Sequence, residues 1–459
     1  MKDTTASFIA KSTIKAADLE HRRKINFNIG KYNAAVPQGK QQFGGNVMDA
    51  REQAKNRKWD AIEHLDRYLL EFEKKITARG AKVIWAENAA EATDAIGKIC
   101  KEKHCKTLVK SKSMVTEEIH LNHYLESMGI ESVETDLGEY IQQLDGEPPY
   151  HIVTPAMHKS KEDVARLFAD KLGVPAGLSP EELTLVARKI LRDKYVQAEV
   201  GVTGANFIVA DAGGIAITEN EGNARLSCGW PKTHIVVVGI EKMIPSVNDL
   251  ALFWPLLATY GTGQKITVYN TLVSGPRQPG ETDGPEEMYV ILLDNGRTNL
   301  LSNPVSREAL YCIRCGACLN ACPVYKNIGG HAYETTYSGP IGKVITPYLS
   351  GMEEYKHLSY ASSLCGNCTE VCPVRINLHE LLLDNRHEAV VRGSSSLAER
   401  LAWKMWKTAS MNRGMMNMGT GKMKNWVVNK VFKGWTTHRS DLDFSAKTFN
   451  EMWREKHHS

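Results

Sequence analysis

From Trp59 to Arg79 apolar residues fall at Ile62, Leu65, Leu69, Leu70, Phe72 and Ile76, the spacing that lays one apolar stripe along a helix. Beyond Ala81 the pattern changes to short β-branched runs between helical ones. The runs predict strands at Lys82–Ala86, Thr107–Lys110, Ile130–Glu134, His151–Thr154, Phe207–Ala210, Gly214–Thr218, His234–Gly239, Lys265–Tyr269 and Met288–Leu293. Helices are predicted at Ala89–Lys103, Thr116–Met128, Lys161–Lys171 and Pro180–Ala198. This alternation predicts a layered α/β domain over residues 59–300. Residues 1–58 form an N-terminal extension, in which the Gly/Asn/Gln-rich stretch Asn28 to Asn46 reads as irregular. Residues 301–390 predict an all-α domain, with helical runs at Ser306–Tyr311, Tyr355–Ala361 and Leu378–Val391, and 391–459 form a basic, helical, Met/Trp-rich tail.

Of the 459 residues, 42% are apolar and 24% charged, which is globular composition and excludes dominant disorder. The longest apolar runs, Ile235–Ile240 and Leu250–Ala258, fall far short of a bilayer span. No secretory pattern is visible in residues 1–24, so a cytoplasmic chain is expected. A net charge of +4 gives no argument for a nucleic-acid partner. Charge is unevenly placed, however, since Arg400–Ser459 carries +8 and the remainder −4.

Seven of the ten cysteines lie between Cys312 and Cys372. Clustered thiols in a reducing compartment point to metal or redox chemistry rather than disulfides. The first group, Cys312-x2-Cys315-x2-Cys318-x3-Cys322-Pro323, has the spacing of bacterial ferredoxins, in which three thiolates wrap one iron–sulfur cluster and the fourth ligates its neighbour. Structural zinc sites favour two separated pairs instead. In the second group, Cys365-x2-Cys368-x3-Cys372-Pro373, counting back places Ser362 where a fourth cysteine would stand. Crossed ligation then gives Cys312, Cys315, Cys318 and Cys372 to a complete [4Fe–4S] cluster, and only Cys322, Cys365 and Cys368 to the second. That second cluster is a [3Fe–4S] core, a [4Fe–4S] core closed by the Ser362 oxygen, one with an iron open to a small ligand or partner, or one that borrows Cys100, Cys105 or Cys228.

Within the α/β domain, the segment Gly201–Gly222 concentrates glycines at strand ends and a polar cluster after them. Gly204, Asn206, Asp211, Gly213, Gly214, Glu219, Asn220 and Glu221 are candidates for a small-molecule pocket, the glycines by allowing close backbone approach and the carboxylates as bases or cation ligands. A glycine-containing hairpin with a polar loop explains the same residues. Lys110-Ser111-Lys112-Ser113 reads as an anion site or as a plain helix cap. Neither G-x-G-x-x-G nor G-x-x-x-x-G-K-[ST] occurs, so a flavin would lie most simply on another chain.

The tail interleaves Trp403, Trp406, Trp426, Trp435 and Trp453 with methionines and basic residues. Such a surface suits a partner groove or an anionic membrane surface, or folds back onto its own chain.

An α/β domain carrying TGANFIVADAGGIAITENEGNARL, followed by CIRCGACLNACPVY and SLCGNCTEVCPVRINLHE, resembles the iron–sulfur proteins of bacterial L-lactate utilisation complexes over nearly the whole chain. The resemblance implies a LUD domain similar to the sugar-isomerase and coenzyme A-transferase fold, and a three-protein complex oxidising L-lactate to pyruvate. Its partners would be a paired-cysteine, heterodisulfide-reductase-like subunit and a second LUD-domain subunit, with a quinone-linked or membrane-surface acceptor and a peripheral place at the inner face of the membrane. The sequence contains no Cys-Cys pair, in keeping with that division. The expected role is an electron-transfer subunit with two iron–sulfur clusters. The rivals are a self-sufficient oxidoreductase using Glu219, Glu221 or Asp211 as base, and a redox-sensing interaction protein.

Overall fold

A computed structural model describes residues 3–394, 397–431 and 440–457. Ten strands lie in residues 82–293: β1 Lys82–Ala86, β2 Thr107–Lys110, β3 Glu131–Glu134, β4 Val200–Thr203, β5 Phe207–Val209, β6 Gly214–Glu219, β7 Thr233–Gly239, β8 Met243–Ile244, β9 Tyr269–Val273 and β10 Glu287–Leu293. Six form an all-parallel sheet ordered β1-β10-β7-β4-β2-β3, and four form a second sheet ordered β8-β5-β6-β9.

Strands β7 and β10 are neighbours in the interior of the large sheet, and their runs HIVVV and MYVILL are apolar on both faces, as a covered parallel sheet requires. Side chains alternate. Val236, Val238, Met288, Val290 and Leu292 enter one core with Phe72 and Ile76, while Ile235, Val237, Tyr289, Ile291 and Leu293 enter the other with Ile96 and Leu108. Helices Lys161–Leu172 and Pro180–Gln197 cover the β2–β3 end, each opened by a capping box from Ser160 or Ser179.

The strand predicted at Lys265–Tyr269 lies instead at Tyr269–Val273, and three further departures from the sequence reading have physical causes. The stretch Asn28–Asn46 is not irregular: it lies largely in helix Leu19–Lys40, which contains Pro37. Its Asn28 donates to the carbonyl of Met157, Tyr32 bonds Thr154, and Asn26 and Asn33 donate to the carbonyls of Lys326 and Asn320. Tertiary hydrogen bonds thus override weak helix propensity. The predicted strand His151–Thr154 is a turn, because the His151 ring accepts from the backbone N–H groups of Val153 and Thr154. Thr116–Met128 divides into helices Met114–Glu118 and Leu121–Ser127 at His120, whose φ of 52° is left-handed.

The cysteine-bearing region is helical and packs within the compact body 1–388. Residues 389–459 form a separate unit, with helices Leu397–Met411 and Phe449–His457 and with Trp403, Trp406, Trp426 and Trp453 exposed. Trp435 lies outside the described residues. Among the described residues no helix is long and apolar enough to cross a membrane.

Candidate metal centre and adjoining cavity

The two cysteine groups repeat one backbone device. Arg314 and Gly316 flank Cys315 with φ of 61° and 79°, and Leu364 and Gly366 flank Cys365 with φ of 52° and 79°. Each pair of left-handed residues bends the chain before a short helix, Ala317–Ala321 or Asn367–Glu370. By this geometry Cys315, Cys318 and Cys322 correspond to Cys365, Cys368 and Cys372, and Cys312 corresponds to Ser362.

Cys312, Cys315, Cys318 and Cys372 line one cavity, walled by Ile152, Ile313, Ile341, Val374 and Ile376. Backbone N–H groups of Arg314 and Ile376 donate to the Cys312 and Cys372 sulfurs at 3.4 Å. Burial, followed by the neighbouring thiols, pushes Cys315 and Cys318 well above the ordinary thiol range, and burial raises Cys372 to about 12. Three buried thiols that resist ionisation, sharing an apolar-walled cavity with Cys312, fit a cationic metal core, which would stabilise thiolates there. The surroundings are cationic. Arg314, Lys58 and Lys242 all feel the Cys312 sulfur, and Arg314 Nη1 is buried without a partner, as beside an anionic cluster. Arg51, from helix Val47–Glu63, donates to the carbonyls of Cys372 and Glu370, which pins the distant ligand's backbone.

Cys322, Cys365 and Cys368 form the second group. Burial raises Cys368 to about 11, with Cys322 and then Cys365 adding to it. Cys365 is exposed, and the backbone N–H of Asn367 and the hydroxyl of Ser363 lower its thiol. The Ser362 hydroxyl accepts from the Leu364 N–H at 3.2 Å. Ser363, at Cys365, is a neighbour the spacing argument did not single out. Cys100 and Cys105 are buried free thiols of the α/β core, Cys105 donating to the Thr107 carbonyl, and Cys228 is buried near Glu219 and Arg225.

A second cavity of about 310 Å³ opens where β2, β3, β4 and β7 end. Carboxyl ends of parallel strands are the usual crevice for ligands, because the loops there diverge. Gly204, Asn206, Glu219, Asn220 and Glu221 line it. Asp211, Gly213 and Gly214 do not: Asp211 accepts from the Val247 N–H and Gly213 and Gly214 pack under Lys75 and Leu272. That turn is explained by close packing. Ser113 caps helix Met114–Glu118, so the plain cap holds for it, yet Ser111, Lys112 and Ser113 also line the cavity. Asp136, Lys242 and Arg314 complete its charged lining without any motif of their own, since strand topology brings them there. Arg314 and Cys315 belong to both cavities. Burial, then Asp136, raises Glu221 to about 7, and burial, then Arg314, lowers Lys242 to about 8.

Residues 69–293 match the LUD domain model and 308–376 the 4Fe-4S dicluster domain model, which makes this a LUD-domain iron–sulfur protein. Proteins named lactate utilization protein B from Bacillus cytotoxicus, Bacillus thuringiensis and Bacillus cereus are 44% identical over 424 residues, covering 90% of this chain and 89% of theirs. The chain belongs to the lactate utilization protein B family. A crystal structure of a DUF162 family protein from Deinococcus radiodurans aligns at 15% identity and TM-score 0.29, covering 50% of this chain and 98% of that one, a likeness too slight to bear on function.

Proposed function

We propose that this protein is the electron-transfer subunit of a complex oxidising L-lactate to pyruvate. Cys312, Cys315, Cys318 and Cys372 hold a [4Fe–4S] cluster, and Cys322, Cys365 and Cys368 hold a second, incompletely ligated one. Its partners are a paired-cysteine subunit and a second LUD-domain subunit, with a quinone-linked or membrane-surface acceptor downstream. The observation that carries this reading is the convergence of Cys372 with Cys312, Cys315 and Cys318 on one apolar cavity, the crossed set that two-cluster modules use. The relatives' name supports lactate as the substrate of the whole assembly.

Bound clusters supply one-electron steps. The chain's own contribution is to exclude water with Ile152, Ile341 and Ile376, to direct N–H groups at the sulfurs, and to set Lys58 and Arg314 around Cys312. Donors and positive charge near the sulfur favour the more negative, reduced state and raise the potential.

Iron and sulfide analysis with EPR on anaerobically purified protein tests the proposal. About seven or eight irons per chain are expected. A folded, iron-free protein overturns it. Turnover of L-lactate by the isolated chain with an artificial acceptor overturns the subunit role in favour of a self-sufficient enzyme.

A further inference from the structure

We infer that the cavity at the ends of β2, β3, β4 and β7 binds a short-chain 2-hydroxycarboxylate, with the Lys242 ammonium as the partner of its carboxylate. The inference rests on the proposed function for its choice of substrate class, and on the cavity's side chains for the site.

Four lysines of the compact body are buried, and three have their needs met. Lys58 donates to the carbonyls of Glu241 and Met243, Lys110 to Glu117, Glu134 and Thr116, and Lys343 to the carbonyl of Ala361. Lys242 is the exception. It is 5% exposed, lines the cavity, and has no hydrogen-bond or ion-pair partner among the described residues. Its neighbour Glu241 is already engaged by Arg297 and Arg314. A buried ammonium with no direct partner, feeling only the Cys312 sulfur and a Glu241 already engaged elsewhere, is costly, and an anion entering the cavity lowers that cost.

The remaining lining selects the kind of anion. Ile217, Leu257 and Ala258 give an apolar wall, and about 310 Å³ suits a molecule of a few heavy atoms with its water. Asn206 Oδ1 accepts from the Thr218 N–H, which fixes the amide and leaves its Nδ2 hydrogens for a ligand oxygen. Glu221 uses one carboxylate oxygen to accept from the Leu137 N–H, leaving the other to accept a ligand hydroxyl. Positive charge, an amide donor and a carboxylate acceptor match a carboxylate with an adjacent hydroxyl. Arg314 and Cys315, in the wall, place the ligand directly against the first cysteine site.

Calorimetric titration of the anaerobically purified full chain with L-lactate, and with acetate as the hydroxyl-free control, tests this. Saturable binding of L-lactate at one site per chain is expected, with acetate weaker by about tenfold or more. Lys242→Met is expected to weaken L-lactate by about tenfold or more while iron content and visible absorption stay at parental levels. Asn206→Asp keeps the bond to Thr218 but places negative charge in the cavity, and it is expected to abolish binding even where Lys242→Met folds poorly. Glu221→Gln is expected to narrow the preference for L-lactate over acetate. Binding that is absent, indifferent to Lys242→Met and Asn206→Asp, or equal for acetate overturns the inference. Loss of iron in Lys242→Met also overturns it, by making the lysine a counter-charge of the cysteine site. Full iron without L-lactate binding defeats this inference alone, whereas an iron-free parent defeats the proposed function whatever the titration shows.

Discussion

Replacing Glu241 by Gln should loosen the joint between the α/β domain and the first cysteine loop. Glu241 follows β7 and is 2% exposed; it accepts from Arg297 Nε at 2.5 Å and from Arg314 Nη2 at 3.3 Å. Arg297 also grips Glu118 with both terminal nitrogens at 2.9 Å. Burial alone would raise the Glu241 carboxyl, but Arg297 and then Arg314 overcome it and hold the pKa at about 2, against 4.5 for a free side chain. At about 1.4 kcal/mol per unit, that difference stabilises the fold by about 3 kcal/mol. It meets the lower end of the roughly 3–5 kcal/mol lost when one partner of a buried pair is removed. With an unfolding entropy near 2.1 cal/mol/K per residue, a body of 388 residues carries about 0.8 kcal/mol/K, so the apparent Tm should fall by about 4 °C. A depressed carboxyl contributes stability that is complete above the unfolded pKa and is lost only as pH falls through about 2. The Tm difference should therefore persist at both pH 6 and pH 8, altered between them only through Lys58 and Lys242, which feel the Glu241 charge, as anaerobic scanning calorimetry on parent and Glu241→Gln would read. A shift under about 1 °C with iron intact, or a difference that disappears between those pH values, refutes the reasoning.

Cys315→Ser should strip iron from the first site and expose the cysteine region to proteolysis, because bound metal is part of that region's folding free energy; parental iron and protease resistance would contradict this. Ser362→Cys should raise iron to about eight per chain and abolish any three-iron EPR signal, since Ser362 occupies the position equivalent to Cys312. Two complete four-iron clusters with a protein thiolate at every iron in the unmodified chain would refute the ligand count. Gly201→Ala would place a Cβ 1.8 Å from the Ser227 carbonyl oxygen, so β4 must shift, at a cost of about 1–3 kcal/mol or more, seen as a lowered Tm. An unchanged Tm would show that the helix bearing Ser227 yields freely.

Much of this was legible because short-range chemistry decides it. The spacing of Cys312, Cys315 and Cys318 dictates one wrapped loop, and HIVVV and MYVILL can be covered strands only if both faces are buried. Helix Leu19–Lys40 was illegible because its order comes from partners such as Met157 and Lys326, far along the chain. Lys242 and Arg314 gave no sign of a cavity for the same reason. Each looks like an ordinary basic residue until the parallel strand order brings the ends of β2, β3, β4 and β7 together. Asp211 misled because a glycine-flanked acid looks alike in a ligand pocket and in a tight turn that receives the Val247 N–H.

Arg51 grips the carbonyl of Cys372, and Asn26 that of Lys326, so helices Val47–Glu63 and Leu19–Lys40 dock onto stretches made some three hundred residues later. During synthesis those helices wait without their seats, and the cysteine cage cannot close until translation has passed its final thiol. Loading of the first cysteine site would therefore wait until Cys372 has been made, and a product cut short before it would carry neither a sealed cage nor seats for these helices.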